Sequence, residues 1–225
     1  MYCAMNQKFT IQSECTTDGS QTLYIPELDE HYHSVKGAVT ESLHVYVGLG
    51  LRHMMEQANR HDPIRVFEVG FGTGLNALLT LETAIKEEVN VSYSSSELYP
   101  LAWEDAQTLA YGDPEMFKRL HAQPWNEVVE LHPRFTLHKM QGDVLAMQIP
   151  EADVVYFDAF APEKQPELWT KEFFQRIYEA MSEGGVLTTY CAKGVVRRML
   201  QEVGFNVERL QGPAGGKREV LRATK

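Results

Sequence analysis

From Pro63 onward, short β-branched segments alternate with amphipathic ones, and this alternation limits the possible folds more than any other feature of the chain. Ile64-Arg-Val-Phe-Glu-Val69 reads as a strand and runs straight into Gly70-Phe-Gly-Thr-Gly74, after which residues 75–85 repeat Leu, Ala and Ile at helical spacing. The pattern continues with a strand at 89–94 that stops at Glu97, a helix at 105–120 and a strand at 134–140 that enters Gly142-Asp143. The most apolar strand, 152–157, ends in Asp158. A helix at 166–181, broken by Gly184-Gly185, precedes a strand at 186–190; a helix at 194–203, stopped by Gly204, precedes two closing strands at 205–210 and 218–223. Strands and helices in turn imply an α/β fold with a mainly parallel sheet, right-handed crossovers and helices on both faces. Ligands of such sheets sit beyond the carboxyl ends of the strands, which is where Glu97, Asp143 and Asp158 fall.

Residues 9–47 follow a different pattern, with short alternating stretches separated by turn residues. Phe9-Thr-Ile-Gln12 and Gln21-Thr-Leu-Tyr-Ile25 flank Asp18-Gly19, a pair suited to a hairpin turn. A helix is expected to start near Thr40 and end near Asn59. The expected organisation is therefore a β-rich extension with a linking helix over 1–60, followed by the α/β domain over 61–225. A length of 225 residues allows one substantial domain and a small extension, not two full catalytic domains. With 44% hydrophobic and 23% charged residues, disorder, collagen and coiled coil are excluded.

Three cysteines, Cys3, Cys15 and Cys191, are widely spaced without any CxxC, so neither a disulfide framework nor a thiolate metal site is expected. No basic, then apolar, leader opens the chain and no run approaches about 20 apolar residues. The expectation is a cytoplasmic protein with no membrane association.

The glycine loop occupies a strand-to-helix turn, where glycine lets a ligand approach the backbone. A dinucleotide fingerprint would place its third glycine at position 75, which is Leu, and no Gly-Lys-Ser or Gly-Lys-Thr follows for a P-loop. The acid-x-Gly-x-Gly-x-Gly pattern, Glu68 to Gly74, instead resembles the cofactor loop of class I S-adenosylmethionine-dependent methyltransferases, with their Rossmann-like sheet. That resemblance implies a cofactor site formed by Glu68, Gly70, Phe71, Gly72, Thr73, Gly74 and Asn76. It also implies that Glu97 meets the ribose hydroxyls, Asp143 meets the adenine amino group, and Asp158 lies close by. A cationic sulfonium also favours nearby carboxylates. Taken singly, each of these acids reads equally well as a helix cap or a solvated turn.

Longer stretches resemble the methyltransferase domain of the bifunctional tRNA 5-methylaminomethyl-2-thiouridine biosynthesis proteins and its stand-alone relatives. These are Phe67-Glu-Val-Gly-Phe-Gly-Thr-Gly-Leu-Asn76, Tyr156-Phe-Asp-Ala-Phe-Ala-Pro162, Lys164-Gln-Pro-Glu-Leu-Trp-Thr170, Val195-Val-Arg-Arg-Met-Leu-Gln-Glu-Val-Gly-Phe205 and Gly216-Lys-Arg-Glu219. Thr40-Glu-Ser-Leu-His-Val-Tyr46 is similar less specifically. Ala159 stands where the family pattern usually has Gly, and Gln165 where Asn is common. The resemblance implies methyl transfer from S-adenosylmethionine to a 5-aminomethyl group on a tRNA wobble uridine, in the anticodon stem-loop. It further implies that Asp158 orients the amine while Phe160 and Pro162 wall the site. A simple capping role for Asp158 is the alternative. The chain stops after its last expected strand, so the resemblance is expected to support the methylation step alone. A separate enzyme would then supply the aminomethyl precursor.

The net charge of −10 argues against a surface that is basic throughout, yet residues 193–225 carry eight Lys or Arg against three Glu. Lys193, Arg197, Arg198, Lys217 and Arg218 are therefore candidate tRNA contacts, the alternative being ordinary solvated charges. Tyr24, Tyr32 and Tyr46, with His31 and His33, either stack on a nucleobase or pack against the domain. His31-x-His33 on a strand would put both imidazoles on one face, but the set is incomplete and no metal is expected. Trp103, Trp125 and Trp169 read as packing residues. Two other functions fit the same pattern: a small-amine methyl- or aminopropyltransferase of spermidine-synthase type, and a cofactor-binding partner protein without catalysis.

Overall fold

The computed structural model describes residues 9–58 and 60–225, so Cys3 and the expected helix end at Asn59 lie outside the described residues. Strands β1 (Gln12–Cys15) and β2 (Gln21–Ile25) pair antiparallel around the Asp18-Gly19 turn, where Gly19 has φ +84°. A two-residue strand, β3 (Glu30–His31), completes a small three-stranded sheet. Helix α1 follows, α-helical at Ala38–Ser42, π-helical across Leu43–Arg52 and α-helical again at His53–Met55. It lies so close to the main sheet that a Cβ on Gly50 would come within 2.9 Å of the Tyr156 ring.

The remaining chain forms β4 (Ile64–Val69), α2 (Leu75–Lys86), β5 (Val91–Glu97), α3 (Trp103–Ala106), α4 (Pro114–Ala122), β6 (Val128–His132) and β7 (Phe135–Gln141). It continues with β8 (Ala152–Phe157), α5 (Lys171–Ala180), β9 (Met181–Thr189), α6 (Gly194–Val203), β10 (Asn206–Gln211) and β11 (Glu219–Thr224). The eight strands from β4 onward form one sheet in the order β10-β11-β9-β8-β4-β5-β7-β6. The five strands from β9 to β7 run parallel; β6 at one edge and β11 at the other run opposite to them, and β10 pairs antiparallel with β11. The first strand, β4, has β5 on one side and β8 on the other, so the winding reverses there and opens a cleft at the strands' carboxyl ends.

Alternation along β4 and β8 explains why both faces of the sheet are covered. Ile64, Val66, Val154 and Tyr156 join the core beneath α1 and α2; Phe67, Val69, Val155 and Phe157 join the core beneath α5 and α6. Each fully buried side chain of this size is worth roughly 1.5–3 kcal/mol relative to exposure. Leu23, Val45, Tyr46 and Leu51, from before Pro63, belong to the first of these cores.

Several expected elements are corrected. The helix expected at 105–120 is two helices, because Gly112 takes φ +44° and Asp113 starts a new helix by accepting from the N–H groups of Glu115 and Met116. Strand β6 was not expected at all. The helix expected at 166–181 begins only at Lys171, where Thr170 Oγ1 accepts from Phe173 N at 3.2 Å. Gly184-Gly185 does not end an element but lies within β9, whose register against β8 slips between Ala152 and Val154. Among the described residues, no helix is long and apolar enough to cross a membrane.

Candidate active site

The glycine loop joins β4 to α2 at the cleft. Gly72 holds φ +51°, and its N–H donates to Glu97 Oε2 at 2.9 Å, tying the loop to the end of β5. A side chain at Gly72 would meet Tyr32 at 3.2 Å. Phe71 turns inward, edge-on to His121 and Trp125, and its N–H donates to Ser96 O. Thr73 is fully buried; its hydroxyl bonds His33 at 2.7 Å and its carbonyl faces His121 at 3.0 Å. Burial pushes both histidines down to about 4, so both are neutral at neutral pH. The side chains of Phe71 and Thr73 are thus engaged within the protein.

Glu97 is held by two backbone N–H groups, from Gly72 and Tyr99, each at 2.9 Å, and burial raises its pKa. One strand over, Gly142 N donates to Glu97 O, which brings Asp143 beside it. Asp143 is exposed and accepts from Leu145 N at 2.9 Å. Two carboxylates therefore stand at the ends of adjacent strands, next to the glycine loop.

A third acidic group lies across the switch point. Asn76, in the first turn of α2, donates one N–H to Glu68 Oε1 at 3.0 Å and the other to Asp158 Oδ2 at 2.8 Å. Ser95 donates to the other oxygen of Glu68 at 2.7 Å. Asp158 Oδ1 receives a short hydrogen bond from Tyr46, in the π-helical part of α1. Burial lifts Asp158 to about 7 against the hydrogen bonds from Tyr46 and Asn76, with the Glu41 carboxylate adding to the rise. Burial also lifts Glu68 to about 8 against its bonds from Ser95 and Asn76. Each oxygen of Asp158 has one protein donor and keeps a lone pair for a ligand.

The loop after Asp158 is held by the second half of the motif. Trp169 Nε1 donates to Phe160 O at 2.8 Å, and Gln165 Oε1 accepts from Phe160 N at 3.3 Å. Trp169 packs as expected, and this hydrogen bond also makes it a positioning residue. Phe160 meets Tyr32 edge-on at 5.4 Å, and Pro162 lies half-buried beside it. Tyr190, at the end of β9, donates to Ala159 O at 2.9 Å.

Of the two alternatives for the N-terminal aromatics, Tyr46 takes the packing one, and the shared face expected of the two histidines is corrected. Tyr46 is 1% exposed and bonded to Asp158, so it packs rather than stacks on a base. His31 and His33 do not share a face: His31 stacks on Tyr24 and bonds Glu14, whereas His33 is directed to Thr73. Among the described residues, no group of three or more His, Cys, Asp or Glu is placed to hold a metal. The sequence assigns no role to Glu41 or Tyr190, and does not point to the bond between Tyr46 and Asp158. Only the similarity of the 40–46 segment pointed in that direction.

The basic residues divide into two groups. Lys193 pairs with Glu163, and Lys217 lies 3.5 Å from Glu41. Among the described residues, Arg197, Arg198 and Arg218 form no ion pair; Arg198 and Arg218 are exposed, while Arg197 Nε is buried.

Residues 111–225 match the family described as S-adenosyl-L-methionine-dependent methyltransferase. The chain belongs to this family. It is also 31% identical over 214 residues to the tRNA 5-methylaminomethyl-2-thiouridine biosynthesis bifunctional protein MnmC of Pseudomonas entomophila, covering 87% of this chain and 32% of the relative. The protein of the same name from Methylobacillus flagellatus is 31% identical over 215 residues, covering 88% of this chain and 33% of the relative. The chain thus spans about a third of the length of these curated relatives. The crystal structure of MNMC2 from Aquifex aeolicus superposes with a TM-score of 0.77 at 29% identity, covering 97% of this chain and 72% of that one. The methyltransferase cofactor is S-adenosyl-L-methionine. The site fits it: Asn76 Oδ1 is buried without a hydrogen-bond partner, and the strand-end carboxylates suit hydroxyl, amino and sulfonium groups.

The raised carboxyls have a measurable consequence. Between about pH 4.5 and 7 the folded, cofactor-free protein keeps protons on both Glu68 and Asp158 that the unfolded chain has released, and Glu68 keeps its own up to about 8. Their contribution to stability is therefore full below the unfolded values near 4 and is lost as pH rises through about 7 to 8. Denaturant melts of wild type and Asn variants at both sites should show this loss shrinking in the variants.

Proposed function

We propose that this methyltransferase transfers the methyl group of S-adenosyl-L-methionine to the primary amine of a 5-aminomethyl group on a tRNA wobble uridine, in the cytoplasm. The observation that carries the chemistry is Asp158, a half-buried carboxylate tuned to about 7 at the switch point, with a free lone pair on each oxygen. The tRNA acceptor is supported by likeness to relatives named for tRNA 5-methylaminomethyl-2-thiouridine biosynthesis.

In this reading Glu97 holds the ribose hydroxyls, Asp143 the adenine amino group, and the loop from Gly70 to Gly74 packs on the methionine portion. The cofactor supplies an electrophilic methyl group on a sulfonium. An alkylamine is mostly protonated at neutral pH and then has no lone pair to attack with. Asp158 accepts the amine's proton through a hydrogen bond and aims the freed lone pair. Tyr46 and Asn76 fix the carboxylate's plane, and Phe160 and Pro162 keep water from the amine. A separate reaction must install the aminomethyl group beforehand.

Arg198 and Arg218 are proposed to meet phosphates of the tRNA. Reversing both to Glu should weaken tRNA binding and lower the salt slope by about 0.7–0.9 for each phosphate no longer neutralised; an unchanged slope would assign them to the solvated surface.

A second reading, a small-amine acceptor, is favoured by the net charge of −10. Incubation with methyl-labelled cofactor and an equimolar mixture of hypomodified tRNA and spermidine separates the two. Label is expected in the tRNA, and label in the polyamine alone would overturn the proposal.

A further inference from the structure

The hairpin joining β10 to β11 carries Lys217 back over the cleft, where its ammonium lies 3.5 Å from the centre of the Tyr190 ring and 3.5 Å from Glu41 Oε1. Glu41 is 8% exposed, yet Oε1 has no hydrogen-bond partner; its other oxygen accepts from Ser34 N at 3.3 Å. A buried carboxylate oxygen facing an aromatic ring is a site for an alkylammonium group. Both groups belong to the Asp158 neighbourhood. Tyr190 holds the carbonyl of Ala159, and Glu41 lies in the first segment of α1, the helix that carries Tyr46.

We infer that Glu41 and Tyr190 form the ammonium-recognition site for the acceptor amine, and that Lys217 occupies this site until the substrate's own primary ammonium displaces it. The inference rests on the proposed acceptor site at Asp158. Lys217 has the right chemistry for a stand-in, being itself a primary alkylammonium, and it is held weakly. Its side chain is 41% exposed, and it makes an ion pair without a hydrogen bond. The loop that carries it, residues 209–219, folds around a concavity of about 550 Å³ of its own. Its base stays closed by Gly212 N donating to Arg218 O at 3.0 Å. Selection for a cation follows: an acceptor without a positive charge would leave Lys217 in place.

The test is an NMR titration of the full chain with 5-aminomethyluridine, with uridine and with propylammonium. Lys217→Met, at an exposed position, should bind both amines about tenfold more tightly than wild type, because the internal competitor is gone. Uridine should show no gain. Lys217→Arg, which keeps the cation, should behave as wild type, and adding Glu41→Gln to Lys217→Met should abolish the gain. Equal amine affinity in wild type and Lys217→Met would overturn the inference. A gain for propylammonium, in a protein that methylates polyamine but no tRNA, would support this site while refuting the tRNA acceptor.

Discussion

Asp158→Asn is expected to lower turnover by about 10²–10⁴, the range for losing a positioned proton acceptor, while cofactor affinity stays nearly unchanged. Asparagine keeps the shape of the side chain and can still bond Tyr46 and Asn76, so the loop and the site walls should remain. What it cannot do is accept the proton of an ammonium. The wild-type kcat/KM should rise with pH through about 7, where Asp158 ionises in the free enzyme, and this limb should vanish in the variant. Turnover near wild type with the limb intact would reduce Asp158 to a loop-holding residue.

Asp153→Ala is expected to cost about 3 kcal/mol of stability, with a fall in Tm on the order of 10 °C. Asp153 lies near the start of β8, at the opposite end of the strand from Asp158, and is 1% exposed. Arg65 donates to it through Nη2 at 2.7 Å, Nε at 3.1 Å and its backbone N at 2.9 Å. Ser182 adds a bond at 2.8 Å, and His61 Nδ1 lies 2.7 Å away. Burial alone would raise this carboxyl, but the bonds from Arg65 and Ser182 bring it down to about 2. Its stabilisation is therefore full above the unfolded value near 3.8 and is lost as pH falls towards 2. Calorimetry of wild type and Asp153→Ala should give a gap in Tm at pH 7 that narrows in acid. A gap that stays constant would mean that side-chain packing, not the charge, matters.

How much of this could be read from the chain depends on the range over which each contact is encoded. The parallel strands and the glycine loop follow from local periodicity, because strands buried on both faces read as unbroken apolar runs. The break between α3 and α4 was also written locally, as Gly112-Asp113-Pro114, with a capping residue followed by proline at the first helical turn. Apolar residues on either side of it concealed the stop. Strand β6 escaped because only Leu131 among its residues is buried, leaving little alternation to detect. Val45-Tyr-Val-Gly-Leu-Gly-Leu51 has β-branched residues and two glycines, and nothing local shows that tertiary packing winds it into a π-helix. Tyr46 meets Asp158 across 112 positions of sequence, and Glu41 meets Lys217 only because the terminal hairpin folds back. The strand-end acids were legible because the fold fixes where strands end. Their partners were not, because those contacts exist only in the assembled molecule.

The most direct test of the central claim is nucleoside mass spectrometry. The purified chain is incubated with S-adenosyl-L-methionine and tRNA bearing 5-aminomethyl groups at the wobble uridine, and the tRNA is digested to nucleosides. The account predicts that the aminomethyl nucleoside disappears and one heavier by a single methylene replaces it, in wild type and not in Asp158→Asn. An unchanged nucleoside profile, from protein shown to bind the cofactor and the tRNA, would contradict it.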